Sequence, residues 1–204
     1  MIELYEFDIS GNCHKVRLLL SLLNIPYKSI EINRLGREQK SVEFLKKNSF
    51  GQVPVLKDGD LIIRDSQAIL VYLARAYGAD EWFPVDAAKT AEITQWLSTA
   101  ANEIAHGPAA LRAHYLTGRA INVQEAEQIT RNVLDILNTR LRDHNWLATE
   151  TITIADIAIY PYIALAHQGK IDLTSFTYVE NWVERIQTQK GFVTMPGIEL
   201  KNLS

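Results

Sequence analysis

Residues 37–77 read REQKSVEFLKKNSFGQVPVLKDGDLIIRDSQAILVYLARAY. Two apolar runs, 53–56 (VPVL) and 61–64 (LIIR), flank the tetrad Lys57-Asp58-Gly59-Asp60. An Asp-Gly between apolar runs supplies the left-handed backbone of a tight hairpin turn, so the two runs are predicted to be antiparallel strands. Asp65 and Ser66 then open a helix whose apolar face is Ile69, Leu70, Leu73 and Tyr77, with Gly78 as its stop. Upstream, Ser41 caps a short helix carrying Val42, Phe44 and Leu45. Working outward to the N-terminus, 2–7 (IELYEF) reads as a strand and 8–12 (DISGN) as a turn of small and polar residues. Val16, Leu19, Leu20 and Leu23 recur at helical spacing until Asn24 and Pro26 end the helix, and 27–32 forms a second strand. Strand, helix, strand in this order predicts a right-handed parallel crossover. Residues 1–77 are thus a βαβ-ββα unit with a four-stranded mixed sheet.

The texture changes after this unit. The run 78–86 (GADEWFPVD) has no period and contains a proline, and reads as a linker. From 87 to 204 no strand-like alternation occurs. Ala126, Ile129, Val133, Ile136, Leu137 and Leu141 form one long helical stripe, 154–166 is nearly all apolar, and 179–186 is a shorter amphipathic helix. Gly107-Pro108 implies a kink or break in the helical run around Asn102, His106, Arg112, His114 and Tyr115. The expected architecture is α/β plus all-α: the βαβ-ββα domain followed by an all-helical C-terminal domain.

Composition excludes several functions. The 204 residues carry 21 Lys+Arg against 24 Asp+Glu, a formal charge of −3, and no basic run marks a nucleic-acid or anionic-membrane surface. A single cysteine, Cys13, makes no intramolecular disulfide, and the five histidines lack metal-ligand spacing. No apolar stretch approaches the roughly 20 residues of a membrane span. The N-terminus MIELYEFDIS is acidic where a signal peptide needs a basic start, so a cytoplasmic, reduced protein without a metal is expected.

Three turns carry candidate chemistry. At Ser10-Gly11-Asn12-Cys13, between the first strand and first helix, an N-cap is the structural reading. The functional one is a helix terminus that stabilises a thiolate. Pro54, after Gln52 and Val53, removes an amide that an edge strand need not donate; were the bond cis, the backbone of Val53 would face a peptide-like ligand. Asp65-Ser66 caps its helix and can also hold a zwitterionic amino-acid end, with Asp65 on the ammonium and Ser66 plus helix amides on the carboxylate. Thr153-Ile154-Ala155-Asp156 is a capping box, and Asp156 is predicted to be a folding determinant. His106 is either a solvated helix residue or an acid–base or substrate contact.

Together these pieces resemble the cytosolic glutathione S-transferase family over essentially the whole chain, most specifically through 37–77. NSFGQVPVL, DGDL and the acidic-Ser pair look closest to phi-type and related bacterial members. The resemblance implies a thioredoxin-like N-terminal domain, a helical C-terminal domain, a homodimer, and glutathione as co-substrate. It places Asp65 and Ser66 on the γ-glutamyl end and the backbone of Val53, before a cis-Pro54, on the cysteinyl residue. Gln39, Lys40 and Gln52 fall at positions that contact the peptide, with Lys40 toward the glycyl carboxylate. The family often has His at position 39 and Glu at position 65, so Gln39 and Asp65 bear on affinity.

Counted back from Asn24-Ile25-Pro26-Tyr27, Ser10 occupies the position of the hydroxyl that serine-type members aim at the glutathione sulfur, with Asn12 and adjacent amides assisting. Cysteine-type members place their cysteine at the Ser10 position or near Asn12, so Cys13 matches neither register. The electrophile is expected against Ile9, Gly11, Asn102, His106 and Ala109, with further lining from helix faces and the segment after Gly191. Conjugation of small apolar electrophiles, with peroxide reduction as a side activity, competes with two other readings. One is a thiol–disulfide reductase whose Cys13 has a pKa lowered by the first helical turn; the other is a non-catalytic glutathione-binding module.

Overall fold

A computed structural model of the chain describes residues 1–200. The last part of the expected helical domain, residues 201–204, lies outside the described residues.

Strand β1 (Ile2–Glu6) is central in a four-stranded sheet of order β2-β1-β3-β4. It pairs in parallel with β2 (Tyr27–Glu31), Leu4 opposite Ser29, and antiparallel with β3 (Val55–Asp58), Leu4 opposite Leu56. Strand β4 (Leu61–Arg64) returns antiparallel along β3, with Asp58 opposite Leu61 across the Asp-Gly turn. Gly59 there has φ +58°, the left-handed conformation that favours glycine. Alternation along β1 sends Ile2 and Leu4 to the main core, and Tyr5 to a smaller cluster with Ile32, Phe44 and Val55 on the opposite face.

Helices α1 (Gly11–Leu22) and α3 (Ser66–Ala76) pack against each other, while α2 (Val42–Leu45) is a single turn. Helix α1 buries more than the one stripe expected from its leucines: Cys13, His14 and Lys15 are buried as well. The reason is that its other face packs on α8 (Ile154–Ala164), so the helix is covered on two sides. The expected strand start at Gln52-Val53-Pro54 moves to Val55, and the Val53–Pro54 bond is cis.

The stretch 78–86 is more than a tether. Trp82 and Phe83 are buried, and the carbonyl of Trp82 accepts a hydrogen bond from Ile154 N at 3.3 Å. The helical unit begins with α4 (Ala87–Ala101). Breaks at Asn102 and Gly107 separate it from α5 (Glu103–His106) and α6 (Pro108–Thr117), so the chain interrupts twice where one break was expected. Helix α7 (Val123–Asp143) buries Ala126, Thr130, Val133, Leu134, Leu137 and Leu141. Ile136, assigned to that stripe by spacing, is 57% exposed. Helix α9 (Thr177–Gln187) closes the core with Val179, Trp182 and Ile186.

Helix α8 runs through the centre, its length buried apart from partial exposure at Tyr162 and Ala164. Its capping box forms as expected: Asp156 Oδ2 accepts from Thr153 N at 3.0 Å, and Thr153 Oγ1 accepts from Ala155 N at 3.2 Å. The same carboxylate also accepts from Leu147 N at 3.0 Å and Trp182 Nε1 at 2.9 Å, fastening α8 to the preceding loop and to α9. Among the described residues no helix is long and apolar enough to cross a membrane.

Candidate active site

A cavity of about 1130 Å³ opens between the sheet-bearing unit and the helical unit. Ser10, Asn12, Gln52 and Asp65 line it on one side, and Asn102, His106, Ala109 and Arg112 on the other. The breaks at Asn102 and Gly107 turn the chain so that α5 and α6 face the α1 N-terminus. Every residue assigned above to the electrophile side, Ile9, Gly11, Asn102, His106 and Ala109, borders this one space. The segment 191–200 does not; Phe192 stacks edge-on against Tyr160 at 5.9 Å, and Met195 and Ile198 are buried. That segment was expected to supply pocket residues, but Phe192, Val193, Met195 and Ile198 pack on the core instead.

Ser10 sits at the N-cap of α1, its Oγ accepting from Cys13 N at 3.3 Å. Cys13 follows in the first turn of α1. It is 0% exposed and does not line the cavity. Burial pushes its thiol up to about 12, against smaller lowering effects from hydrogen bonds with Ser10 and the Phe7 backbone. The expected lowering at a first helical turn is thus reversed, because a thiolate there would be stripped of water.

Tyr162 of α8, which spacing alone assigns to a buried apolar helix, reaches the same place. Its ring stands against Gly11, where an added Cβ would lie 2.8 Å from Cε1 and Cζ. Of the first-turn amides expected to assist a thiolate directly, that of Cys13 is already engaged by Ser10.

The N-terminal-domain model of glutathione S-transferases matches residues 4–81, and the C-terminal-domain model matches residues 93–190. The glutathione S-transferase theta-2 of Mus musculus is 30% identical over 93% of this chain and 82% of its own. The chain belongs to the glutathione S-transferase family. It is also similar to the disulfide-bond oxidoreductase YfcG of Escherichia coli, 29% identical over 93% of this chain and 91% of that protein. The crystal structure of a possible glutathione S-transferase from Rhodopseudomonas palustris superposes with a TM-score of 0.87 at 29% identity, covering 99% of this chain and 93% of that one. The sheet-bearing unit is accordingly the thioredoxin-like domain of a glutathione S-transferase, followed by the helical domain of that family.

In this transferase, of the residues expected to hold glutathione, Gln52 and Asp65 line the cavity while Ser66 and Pro54 do not. Asp65 is exposed, with φ 73°, and caps α3 through Oδ1, which accepts from Gln67 N at 2.9 Å and Ala68 N at 3.2 Å. Those two amides, expected to bind a carboxylate, are thus already committed. Ser66 is buried and donates to Gln67 Oε1. Gln52 lines the cavity, but Gln39, Lys40 and Val53 stand outside its boundary. Lys40 Nζ donates to the Phe50 carbonyl at 2.9 Å, and the buried Gln39 Oε1 has no partner among the described residues. His106 Nδ1 lies 2.9 Å from the Asn102 carbonyl, one turn back.

Arg34 and Gln67 also border the space without having been singled out by sequence, as does Arg112, which the sequence placed only near the Gly107-Pro108 break. Arg112 is 9% exposed, and its Nε donates to Gln168 Oε1 at 2.7 Å. Both partners belong to the helical unit and lie 56 positions apart, so no local motif connects them.

Proposed function

We propose that this glutathione S-transferase conjugates the glutathione thiolate to small electrophiles, with Ser10 as the hydrogen-bond donor to the sulfur. The observation that carries this reading is the position of Ser10. Its Oγ is held by the Cys13 amide at the end of α1 and opens into the cavity shared with Asn102, His106 and Ala109. A hydroxyl donor at the positive end of a helix favours thiolate over thiol, and a thiolate held beside the electrophile reacts by proximity. Asn12 assists from the same turn. Asp65 and Ser66 take the γ-glutamyl end, Val53 with Pro54 the cysteinyl backbone, and Gln39, Lys40 and Gln52 the rest of the peptide. In this division residues 1–77 bind glutathione, 78–86 connect, and 87–204 supply the electrophile side.

Alanines and Ile129 in the cavity wall alternate with Arg34, Glu103, Arg112 and Asn132. This mixture suits electrophiles that carry a polar group on an apolar body, and is compatible with organic hydroperoxides as a side reaction. A cytoplasmic role in detoxification accords with such substrates. A homodimer is supported by apolar residues exposed near the β4 edge: Phe50, Leu61, Ile62 and Tyr77 are each more than 40% exposed.

The likeness to YfcG favours a second reading, reduction of disulfides. With Cys13 buried, the reacting thiol in that reading is glutathione's own. Calorimetry with glutathione, followed by conjugation and disulfide-reduction assays on wild type, Ser10→Ala and Cys13→Ser, tests both. The conjugation reading expects binding, turnover, a large loss in Ser10→Ala and little in Cys13→Ser. Turnover abolished only by Cys13→Ser contradicts the Ser10 assignment, and binding without any turnover identifies a non-catalytic module.

A further inference from the structure

Arg112 is a buried cation that no carboxylate of the described residues neutralises. It is 9% exposed on α6 and borders the cavity. The ion pairs among the described residues are Arg17–Glu6, Lys46–Glu43, Lys57–Glu3 and Arg142–Asp143, and Arg112 is in none of them. The half-buried Arg17 shows the contrasting arrangement, resting on the buried Glu6 carboxylate. Lys15, 1% exposed and also outside those pairs, is relieved differently: burial pulls its ammonium down to about 7, so it can shed a proton near neutral pH. A guanidinium has no such escape, and its charge calls for an anion within reach.

Arg112 is also held in place. Its Nε donates to Gln168 Oε1 at 2.7 Å, and the turn that carries Gln168 lies so near α6 that a Cβ added at Gly169 would stand 3.2 Å from Arg112 N. The two terminal nitrogens take no partner among the described residues. With Nε engaged, they present parallel N–H bonds that match the two oxygens of a carboxylate. Ala109 and Leu116, about one turn to either side of Arg112 on α6, border the same space and give it an apolar flank. Of the carboxylates around the cavity, Glu103 accepts from the Asn102 side chain at 3.1 Å, Glu125 is exposed, and Asp65 caps α3.

We propose that Arg112 makes this cavity selective for electrophiles that carry a carboxylate on an apolar body, the carboxylate pairing with the two terminal nitrogens of the guanidinium. The inference rests on the conjugation reading above and names the substrate class of that same site. The body lies along Ala109 and Leu116, and the reacting carbon faces the sulfur beside Ser10 on the opposite wall. Chlorodinitrobenzoate is a substrate of this kind. A thiolate lone pair forms the C–S bond at the ring carbon that bears chlorine, and the ring electrons shift onto the nitro groups. They return as the C–Cl bond breaks, and chloride leaves with its electron pair. The carboxylate takes no part in that exchange and serves as the handle. A guanidinium already stripped of most of its water gains such a partner at a lower desolvation cost than an exposed one, whereas a neutral ester leaves its charge unpaired. Arg112 touches no reacting atom and determines specificity; Gln168 is a positioning residue that orients the fork.

The test compares chlorodinitrobenzoate with its methyl ester at saturating glutathione, in wild type, Arg112→Met and Gln168→Glu. The readout is the ratio of kcat/KM for the acid to kcat/KM for the ester, in which any shared loss of folded enzyme cancels. Arg112→Met is expected to lower that ratio roughly 10- to 100-fold. Gln168→Glu keeps the guanidinium but supplies it with a carboxylate from the protein, and is expected to lower the ratio by about 3-fold or more. An unchanged ratio in either folded variant overturns the proposal and leaves conjugation standing. Absence of wild-type turnover on both compounds overturns the conjugation reading and this one together. Calorimetry reads the pairing without turnover. Dinitrobenzoate, which has no chloride to lose, should bind the glutathione complex about 10-fold or more tighter than dinitrobenzamide, and Arg112→Met should remove the difference. A weaker affinity for glutathione in Arg112→Met, with that difference unchanged, would assign the guanidinium to glutathione and overturn the proposal.

Discussion

A methyl group at Gly11 would lie 2.8 Å from Cε1 and Cζ of Tyr162. The two residues come from different units, the first turn of α1 and the last turns of α8, and their contact brings the α1 N-terminus against the helical domain. Glycine is required there by the close approach of an aromatic ring, because Gly11 is not among the positive-φ residues. Gly11→Ala should therefore cost about 1–3 kcal/mol as an overpacking change, read by urea unfolding. Tyr162→Leu, which withdraws the ring, should recover part of that loss in the double variant, giving a coupling energy of about 0.5 kcal/mol or more. Additive losses would show that the two do not press on each other.

Asp156 has three buried N–H donors aimed at one carboxylate: Leu147 N, Thr153 N and Trp182 Nε1. Its truncation leaves all three without an acceptor at a cost of about 1–3 kcal/mol each. Asp156→Ala is expected to lose at least about 3 kcal/mol in urea unfolding, while the affinity of the folded fraction for glutathione stays within about 2-fold. A selective loss of glutathione affinity at unchanged stability would mean that Asp156 belongs to the site.

Acid stability should separate two buried groups with opposite signs. Burial pushes His14 down to about 3, with the Arg17 charge adding to the effect, and neither ring nitrogen has a partner among the described residues. The unfolded chain takes up that proton near 6.5 and the native chain does not, so this contribution to stability is lost as pH falls from about 6.5 toward 3. Burial pushes Asp156 up to about 6, so here the native chain is protonated first, and stability falls as pH rises from about 4 to 6. The two slopes oppose each other between about pH 4 and 6. Relative to wild type, His14→Leu should gain stability on acidification through that window and Asp156→Asn should lose it, each by roughly 1 kcal/mol per pH unit in urea titrations. Parallel curves for both variants would contradict these assignments.

What could be read from the chain, and what could not, follows from how local each feature is. The Asp58-Gly59 hairpin, the Ser10 and Asp65 caps and the Thr153-Asp156 capping box are set by residues within four positions of each other, and each forms where the spacing puts it. Around the cavity, Ile9, Ser10, Asn102 and His106 could be placed together only through resemblance to a family, since about 90 positions separate the two sides. Lys15 and His14 look like the polar face of α1; that they are buried depends on α8 covering it. The same packing brings Tyr162, an unremarkable aromatic in an apolar helix, to the α1 terminus. It also reverses the expected acidity of Cys13, because proximity to a helix end is a smaller effect than loss of water.

The central claim is that the working thiol belongs to glutathione and is ionised by Ser10. Ultraviolet thiolate absorbance of the glutathione complex, titrated against pH in wild type, Cys13→Ser and Ser10→Ala, tests it most directly. Wild type and Cys13→Ser should share one pKa at least about 1 unit below that of free glutathione, and Ser10→Ala should shift it back upward by about 1 unit or more. A thiolate signal that persists in Ser10→Ala and vanishes in Cys13→Ser would contradict the account.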